Sequence, residues 1–181
     1  MRNRGFTLIE MLVSVAIFSV VMVIALGALL SLSEANRKAE LLSEATNNFN
    51  SAIDSMTRAM RTGTNFHCGG GTLTSPLACP SGSSEFAFLA ATSQETVYEF
   101  QTTTCPNTLG CIMRSQDGGE SFAPITSPEL VVTSLQFDSR GAEGVQQPWV
   151  AILVGGYVVI QGTEQTTFNL ETSVAQRLYD Q

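Results

Sequence analysis

Apolar residues fill the first third of this chain in two successive patterns. Apolar side chains are nearly continuous from Phe6, and no charged residue occurs from Met11 to Ser33. A helix of that length covers roughly 34 Å at about 1.5 Å per residue, which is enough to cross a bilayer. Farther along, apolar residues recur at three- and four-residue steps up to Met60, the pattern of an amphipathic helix. No proline interrupts the chain before Arg61, so we predict one long helix from Phe6 to about that residue.

The two halves of this helix are expected to have different surroundings. Residues 6–33 would lie in lipid, whereas residues 34–62 carry an apolar stripe that requires a sheet packed against it. The stripe comprises Ala35, Ala39, Leu42, Ala45, Phe49, Ala52 or Ile53, Met56 and Met60. Gly27 lowers helix stability by up to about 1 kcal/mol relative to alanine, so it could loosen the span locally, and whether it does so stays open. Gly63 is positioned to cap the end of the helix.

The composition changes past Gly63, and residues 68–84 are rich in turn formers and lack apolar periodicity. This predicts a surface loop. The segments beyond it are short and strand-forming, and they have no helical pattern between them, so they should pair antiparallel. The predicted strands are Glu85–Ala91, Glu95–Gln101, Ile112–Ser115, Leu130–Asp138, Trp149–Gln161 and Thr166–Thr172, with a bulge or break expected at the glycine pair 155–156. The predicted fold class is α+β, a long helix packed on an antiparallel β head of residues 63–181.

Charge and cysteine content narrow the possible functions. The net charge is −7, and an acidic surface should repel nucleic acid phosphates. The four cysteines, Cys68, Cys79, Cys105 and Cys111, form an even number in a chain expected to leave the cytosol, which suggests two disulfides. Three pairings are possible, and we prefer pairing between sequence neighbours. A zinc site with His67 is the alternative, although the tight paired spacing of zinc-binding cysteines is absent.

No constellation of side chains in the sequence indicates catalysis. The single histidine, His67, adjoins Cys68, and sequence neighbours rarely face each other as a nucleophile and its base must. The carboxylates are scattered, and the segment 117–120, with its two glycines, is more simply a hairpin turn than a calcium loop. We therefore expect a structural subunit without catalytic residues, metal or cofactor. An anchored periplasmic hydrolase acting through His67 is the alternative from the enzyme class.

A single acid, Glu10, lies at the edge of the apolar span, shortly after Gly5 and Phe6. Acids inside spans are rare and by default have dedicated partners, so Glu10 is the first residue that we expect to be functional. A solvated interfacial glutamate is the alternative. A cleaved secretory signal would have a shorter apolar core, whereas a plain membrane anchor fits the length and the N-terminal Arg2 and Arg4. Neither interpretation explains Gly5 and Phe6 together with Glu10.

The segment from Arg4 to Val13, with the sequence RGFTLIEMLV, resembles the class III signal of type IV prepilins and of type II secretion pseudopilins. The resemblance implies that residues 1–5 are a leader peptide, which a membrane-embedded prepilin peptidase removes between Gly5 and Phe6. The same enzyme would methylate the new N-terminus at Phe6. The resemblance also implies that the carboxylate of Glu10 pairs with the N-terminal amine of a neighbouring subunit during filament assembly. Loss of the leader changes the net charge from −7 to −9, because two arginines leave with it.

Weaker motifs in the head are similar to those of W-type minor pilins and J-type minor pseudopilins. They are Asp54–Arg61, Val97–Phe100 ahead of Met113-Arg114, and Thr167–Thr172 ahead of Arg177. The resemblance implies a minor pilin or pseudopilin that primes assembly or caps the tip of a type IV pilus or a type II secretion pseudopilus. Its implied partners are the prepilin peptidase, other minor subunits and the major subunit, with nucleic acid not expected.

The same resemblance implies a location. Before assembly the chain would cross the bacterial inner membrane once, with its N-terminus in the cytoplasm and its head outside the cytosol. After assembly it would belong to the pilus or pseudopilus, at the tip. A tip adhesin or DNA-uptake receptor that acts through the loops between Cys68 and Cys111 is the alternative, although the acidic charge disfavours DNA.

Overall fold

The computed structural model describes residues 5–69, 73, 75–143, 146–160 and 164–177. Most of the predicted leader, including Arg2 and Arg4, lies outside the described residues, as do the glycines at positions 70 and 71. Packing divides the chain into two compact units, one that ends at Leu41 and one that begins at Leu42.

One helix, α1, runs from Leu8 to Thr62 and contributes to both units. In the second unit it buries one face, and the buried residues are Ala45, Phe49, Ala52, Ile53, Met56 and Met60. These are the later members of the predicted stripe, and the ring of Phe49 lies 4.7 Å from that of Phe168. The earlier members Ala35 and Ala39 are exposed. The stripe therefore serves as a packing face only within the unit that begins at Leu42.

The described residues beyond α1 form β-strands arranged in two sheets. The strands are β1 (Thr64–Cys68), β2 (Cys79–Ser83), β3 (Glu85–Leu89), β4 (Glu95–Gln101), β5 (Cys111–Ser115), β6 (Ala123–Pro124), β7 (Leu130–Arg140), β8 (Trp149–Ile160) and β9 (Glu164–Ala175). The first sheet has the order β1-β3-β4-β5-β6 and the second has the order β2-β7-β8-β9. Neighbouring strands pair antiparallel throughout both sheets. The predicted α+β class, a long helix followed by antiparallel sheets, is confirmed.

Aromatic side chains join the two sheets. Phe66, Phe86, Phe88, Tyr98 and Phe137 are all buried, with at most 1% of each residue exposed. Phe86 of the first sheet stacks on Phe137 of the second at a centroid distance of 5.4 Å. Phe66 meets Phe86 edge to face at 5.3 Å, a favourable geometry for aromatic pairs. The core of the second unit therefore includes the contact between the two sheets and the buried face of α1.

The segment 68–84 is not the strandless loop that its composition predicts, because it contains β2 and the last residue of β1. Both are edge strands, β1 in the first sheet and β2 in the second. Pro80 within β2 is compatible with an edge position, since proline cannot donate a hydrogen bond to a second neighbour. Short edge strands need no continuous apolar alternation, which is why no periodic pattern marks them in the sequence.

The glycine pair in β8 does not break the strand. β8 pairs with β9 without interruption, and the bulge lies in the facing strand β7, between Val132 and Ser134. A Cβ atom on Gly155 would lie 2.7 Å from Ser134 Oγ, and one on Gly156 would lie 2.3 Å from the carbonyl oxygen of Val131. The glycines therefore allow β7 to approach β8 closely at its bulge.

Gly63 has a different role from the predicted helix cap. Its φ is not positive, so it does not form the left-handed C-cap that favours glycine. Its amide donates to the carbonyl oxygen of Met60 at 3.1 Å. A Cβ atom at this position would lie 2.4 Å from Cδ2 of Phe88. Glycine is required here because the aromatic core leaves no room for a side chain.

Candidate functional site

The first turn of α1 is closed by Thr7 and Glu10. The backbone amide of Glu10 donates to Thr7 Oγ1 at 3.3 Å, and the backbone amide of Thr7 donates to Glu10 Oε2 at 3.4 Å. This reciprocal pattern is a capping box, which satisfies two of the amides that a helix leaves unpaired at its N-terminus. Sequence reasoning singled out Glu10 but missed the cap, although the Thr-x-x-Glu spacing is its recognised signal.

The capping box holds the carboxylate of Glu10 at the surface of its own helix. The residue is exposed, and its negative charge lies near the positive end of the helix dipole. Its hydrogen bonds to Thr7 are long for bonds to a carboxylate. Because these bonds are long, an ammonium group that approached the carboxylate could form a shorter charge-assisted bond.

Gly5 and Phe6 precede the helix without regular secondary structure. Phe6 is 81% exposed, and a Cβ atom on Gly5 would meet nothing within 4 Å. The peptide bond between them is therefore accessible to an external enzyme. Glycine at this position is not required by contacts with the described residues of this chain.

Large apolar side chains are exposed along the apolar span of α1 in the described part of the chain. These residues are Leu8, Ile9, Met11, Leu12, Val13, Val15, Ile17, Phe18, Val20, Val21, Met22, Val23, Ile24, Leu26, Leu29, Leu30 and Leu32. The hydroxyl of Ser14 donates to the carbonyl oxygen of Met11 at 2.9 Å, and that of Ser19 donates to the carbonyl oxygen of Val15 at 2.8 Å. Both hydroxyls are thus satisfied without water. The helix is long and apolar enough to cross a membrane.

Residues 1–26 match the family model of the prokaryotic N-terminal methylation motif. The N-terminus of this chain is prepilin-like. The match covers the bond after Gly5, the carboxylate of Glu10 and most of the apolar span, and it supports a type IV prepilin-like protein. It implies processing by a prepilin peptidase and assembly with pilin partners, and with the apolar helix it fits anchoring in the inner membrane. No curated protein and no solved structure matches the chain.

The prepilin-like motif points to a structural subunit, and the cysteines are used structurally as well. Cys68 pairs with Cys79 at an S–S distance of 2.07 Å, and Cys105 pairs with Cys111 at 2.01 Å. The first disulfide joins β1 of one sheet to β2 of the other, and the second closes the loop between β4 and β5. The zinc alternative fails because these sulfurs are not free thiolates. Nδ1 of His67 lies 2.9 Å from a backbone carbonyl oxygen, and the part of the chain that is described holds no metal-binding group of His, Cys, Asp and Glu.

The segment 117–120 is the predicted turn, and it connects β5 to β6. Its two glycines adopt left-handed φ angles of 76° and 95°. The carboxylate of Asp117 accepts hydrogen bonds from Ser115 Oγ at 2.5 Å and from the Ser121 amide at 2.9 Å. These bonds, that of Ser115 first, hold the pKa of Asp117 well below its usual value. Asp117 thus stabilises the turn in its ionised form.

Two carboxylates, Glu85 on β3 and Glu99 on β4, are directly opposite in the first sheet. Partial burial raises the pKa of both groups. The nearby His67 opposes this rise for Glu85, whereas a hydrogen bond from the Gln101 amide opposes it for Glu99. Like charges opposite each other destabilise a sheet, so this pair makes the stability of the head depend on pH.

Proposed function

We propose that this chain is a minor pilin or a type II secretion pseudopilin, a structural subunit that primes assembly or caps the tip of the filament. The prepilin-like motif at residues 1–26 carries this proposal, since it lies at the start of a membrane-length helix that leads into a disulfide-bonded β head. The similarity of the head motifs to W-type and J-type minor subunits supports the assignment as a minor subunit.

In this proposal the chain has four functional segments. Residues 1–5 are the leader, and residues 6–33 cross the inner membrane before assembly and enter the filament core afterwards. Residues 34–62 support the head, residues 63–181, outside the cytosol. The N-terminus faces the cytoplasm before processing, as its arginines favour.

Cleavage between Gly5 and Phe6 is the first proposed step, followed by methylation of the new amine at Phe6. Accessibility of this bond supports the site. The test is Gly5→Val in the full chain, followed by mass spectrometry of the membrane-bound protein. A heavier, uncleaved precursor is expected, because a branched side chain obstructs close approach of a protease to the backbone. A normal mature mass would refute the cleavage site, and Gly27→Ala, which changes a glycine away from the motif, should mature normally.

Pairing of the Glu10 carboxylate with the amine of a neighbouring subunit is the second proposed step. In a low-dielectric bundle an unpaired charge is costly, so the pair favours subunits that are in register. The capping box supplies a sharp test, because Glu10→Gln can keep the cap but removes the charge, whereas Glu10→Ala removes both.

Both Glu10 variants should be processed yet fail to co-assemble with partner subunits, as measured by co-purification of sheared filaments or crosslinked membrane complexes. Thr7→Ser is the matched control, since serine also caps helices. If Glu10→Gln assembles normally while Glu10→Ala does not, the residue acts as a cap and the charge-pair role is wrong. A deletion strain with unchanged pilus number and secretion would contradict the proposed function as a whole.

A further inference from the structure

Three arginine side chains line one cleft at the C-terminal end of α1. Arg58 and Arg61 come from the last turns of the helix and Arg177 follows β9, around a volume of about 330 Å³. The amide of Arg177 donates to the carbonyl oxygen of Arg61 at 3.0 Å. The preceding residue, Gln176, is completely buried, and its carbonyl oxygen accepts a hydrogen bond from the Gln147 side chain at 2.7 Å. Packing therefore fixes the backbone of the third arginine beside the first two.

This concentration of positive charge is unusual in an acidic chain that has 9 basic and 16 acidic residues. Asp54 pairs with Arg58 at 2.6 Å, but both side chains are mostly exposed. The side chains of Arg61 and Arg177 make no hydrogen bond or ion pair with another described residue. Complementing the helix dipole accounts for cations on α1 itself, but it does not require Arg177 from a distant segment. An anion in the cleft would balance the charges of Arg61 and Arg177, whereas Arg58 already has Asp54 as its partner.

The shape of the surface indicates an elongated ligand. A second concavity of about 410 Å³ continues along α1 and is lined by Ser51, Asp54, Ser55, Arg58, Ala59 and Thr62. It shares Asp54, Arg58 and Thr62 with the arginine cleft. The two together follow roughly three turns of helix, which is more than a compact ion would occupy. Small side chains between the charged ones allow a polypeptide backbone to lie close to the helix.

We propose that this surface, the arginine groove of residues 51–62 and Arg177, binds an acidic polypeptide segment of a neighbouring filament subunit. The proposal rests on the proposed function, since a filament supplies the neighbour. Carboxylates of the segment would pair with Arg61 and Arg177, because the planar guanidinium matches a carboxylate through two parallel hydrogen bonds. On a chain that is otherwise acidic, such a groove attracts acidic partners to one defined face.

The first test places a photo-crosslinking amino acid at Ser55 in the full chain, in its own cells. We expect an adduct with a subunit peptide that contains aspartate or glutamate. Arg61→Glu combined with Arg177→Glu should lower its yield about tenfold, the equivalent of roughly 1.4 kcal/mol. Arg140→Glu is the matched control, since it reverses an exposed charge on the second sheet and should leave the yield unchanged. Changing the acid of the captured peptide to lysine should restore the adduct.

Several outcomes would overturn the groove assignment without contradicting the proposed function. They are an adduct that survives the double charge reversal, a captured peptide without an acid, and a lysine change that fails to restore the adduct. Mature mass and recovery of the chain in filaments are measured in the same strains. If these are normal while the groove prediction fails, the proposed function stands; if they fail in the unmodified chain, the proposed function fails.

A second test identifies the kind of anion. The purified full chain in non-ionic detergent is titrated with a labelled ten-residue polyglutamate peptide, with inorganic phosphate and with a single-stranded oligonucleotide. We expect the peptide to bind, and the double variant of Arg61 and Arg177 to bind it about tenfold more weakly. Tighter binding of phosphate or the oligonucleotide would overturn the proposal. The proposal would also be overturned if the peptide bound the Asp180→Asn variant of the chain but not the unmodified chain. The chain's own last residues would then be the occupant of the groove.

Discussion

Replacing Phe49 by alanine should be one of the most destabilising single changes in α1. The residue is 5% exposed and its ring lies 4.7 Å from that of Phe168. Burial of a phenylalanine removes about 150–250 Å² from water, which at about 25 cal/mol per Å² corresponds to roughly 4–6 kcal/mol. Measured Phe→Ala costs in protein cores are about 3–5 kcal/mol. We therefore expect a loss of about 4 kcal/mol in the free energy of unfolding of the second unit.

This loss should be visible in a thermal unfolding experiment on the full chain in detergent. At about 2.1 cal/mol/K of unfolding entropy per residue, a unit of the size of Leu42–Gln181 loses roughly 3–4 °C in Tm per kcal/mol. Phe49→Ala should therefore lower the Tm by about 10–15 °C, followed by circular dichroism. The neighbouring exposed Asn50 gives the control, because Asn50→Ala should change stability by less than about 0.5 kcal/mol. Equal Tm values for the two variants would refute the packing of this face of α1 on β9.

Two further changes test the pairing of charges in the first sheet and the close approach of the loop between β4 and β5 to β7. Glu99→Gln should stabilise the head at neutral pH by a few tenths to about 1 kcal/mol, because it removes the like-charge contact with Glu85. The fold raises the pKa of Glu99, so the native glutamate contributes its full stability only when it is protonated. This stability is complete below the usual pKa of 4.5 and is lost as the pH rises through the folded pKa. Urea unfolding curves of the two proteins should thus converge near about pH 4, and a difference that is independent of pH would contradict this. Gly110→Ala should cost about 1–3 kcal/mol in denaturant unfolding, because its Cβ would lie 2.1 Å from the carbonyl oxygen of Val132. Gly27→Ala, whose Cβ would meet nothing within 4 Å, should not cost stability, and equal midpoints for both glycine variants would show that β7 moves aside freely.

Local patterns explain which parts of the fold could be predicted. The three- and four-residue spacing through Phe49 and Met60 determines a helix face, because an apolar stripe must be covered. Most strands from Glu85 onward carry enough β-branched and aromatic residues to be recognised locally, and the two-residue β6 is the exception. β1, β2 and β6 were missed because an edge strand is held by its neighbour more than by its own residues.

The candidate sites divide in the same way. The motif around Gly5 and Glu10 could be read directly, since it is contiguous and its chemistry lies within one helical turn. The capping role of Thr7 has a local signal that was overlooked. The disulfide between Cys68 and Cys79 was expected from proximity in sequence, but its position between the edge strands of two sheets depends on strand order.

The sequence by itself determined the prepilin-like N-terminus, the membrane-length span and the amphipathic continuation of α1, because each depends on residues a few positions apart. Only the tertiary structure decided which charges meet. Glu85 faces Glu99 through the register of two strands, and Arg177 reaches Arg61 because β9 ends beside the end of the helix. Such contacts arise from long-range pairing and burial, which no local pattern encodes. They turn scattered charges into a pH-dependent pair and a basic groove.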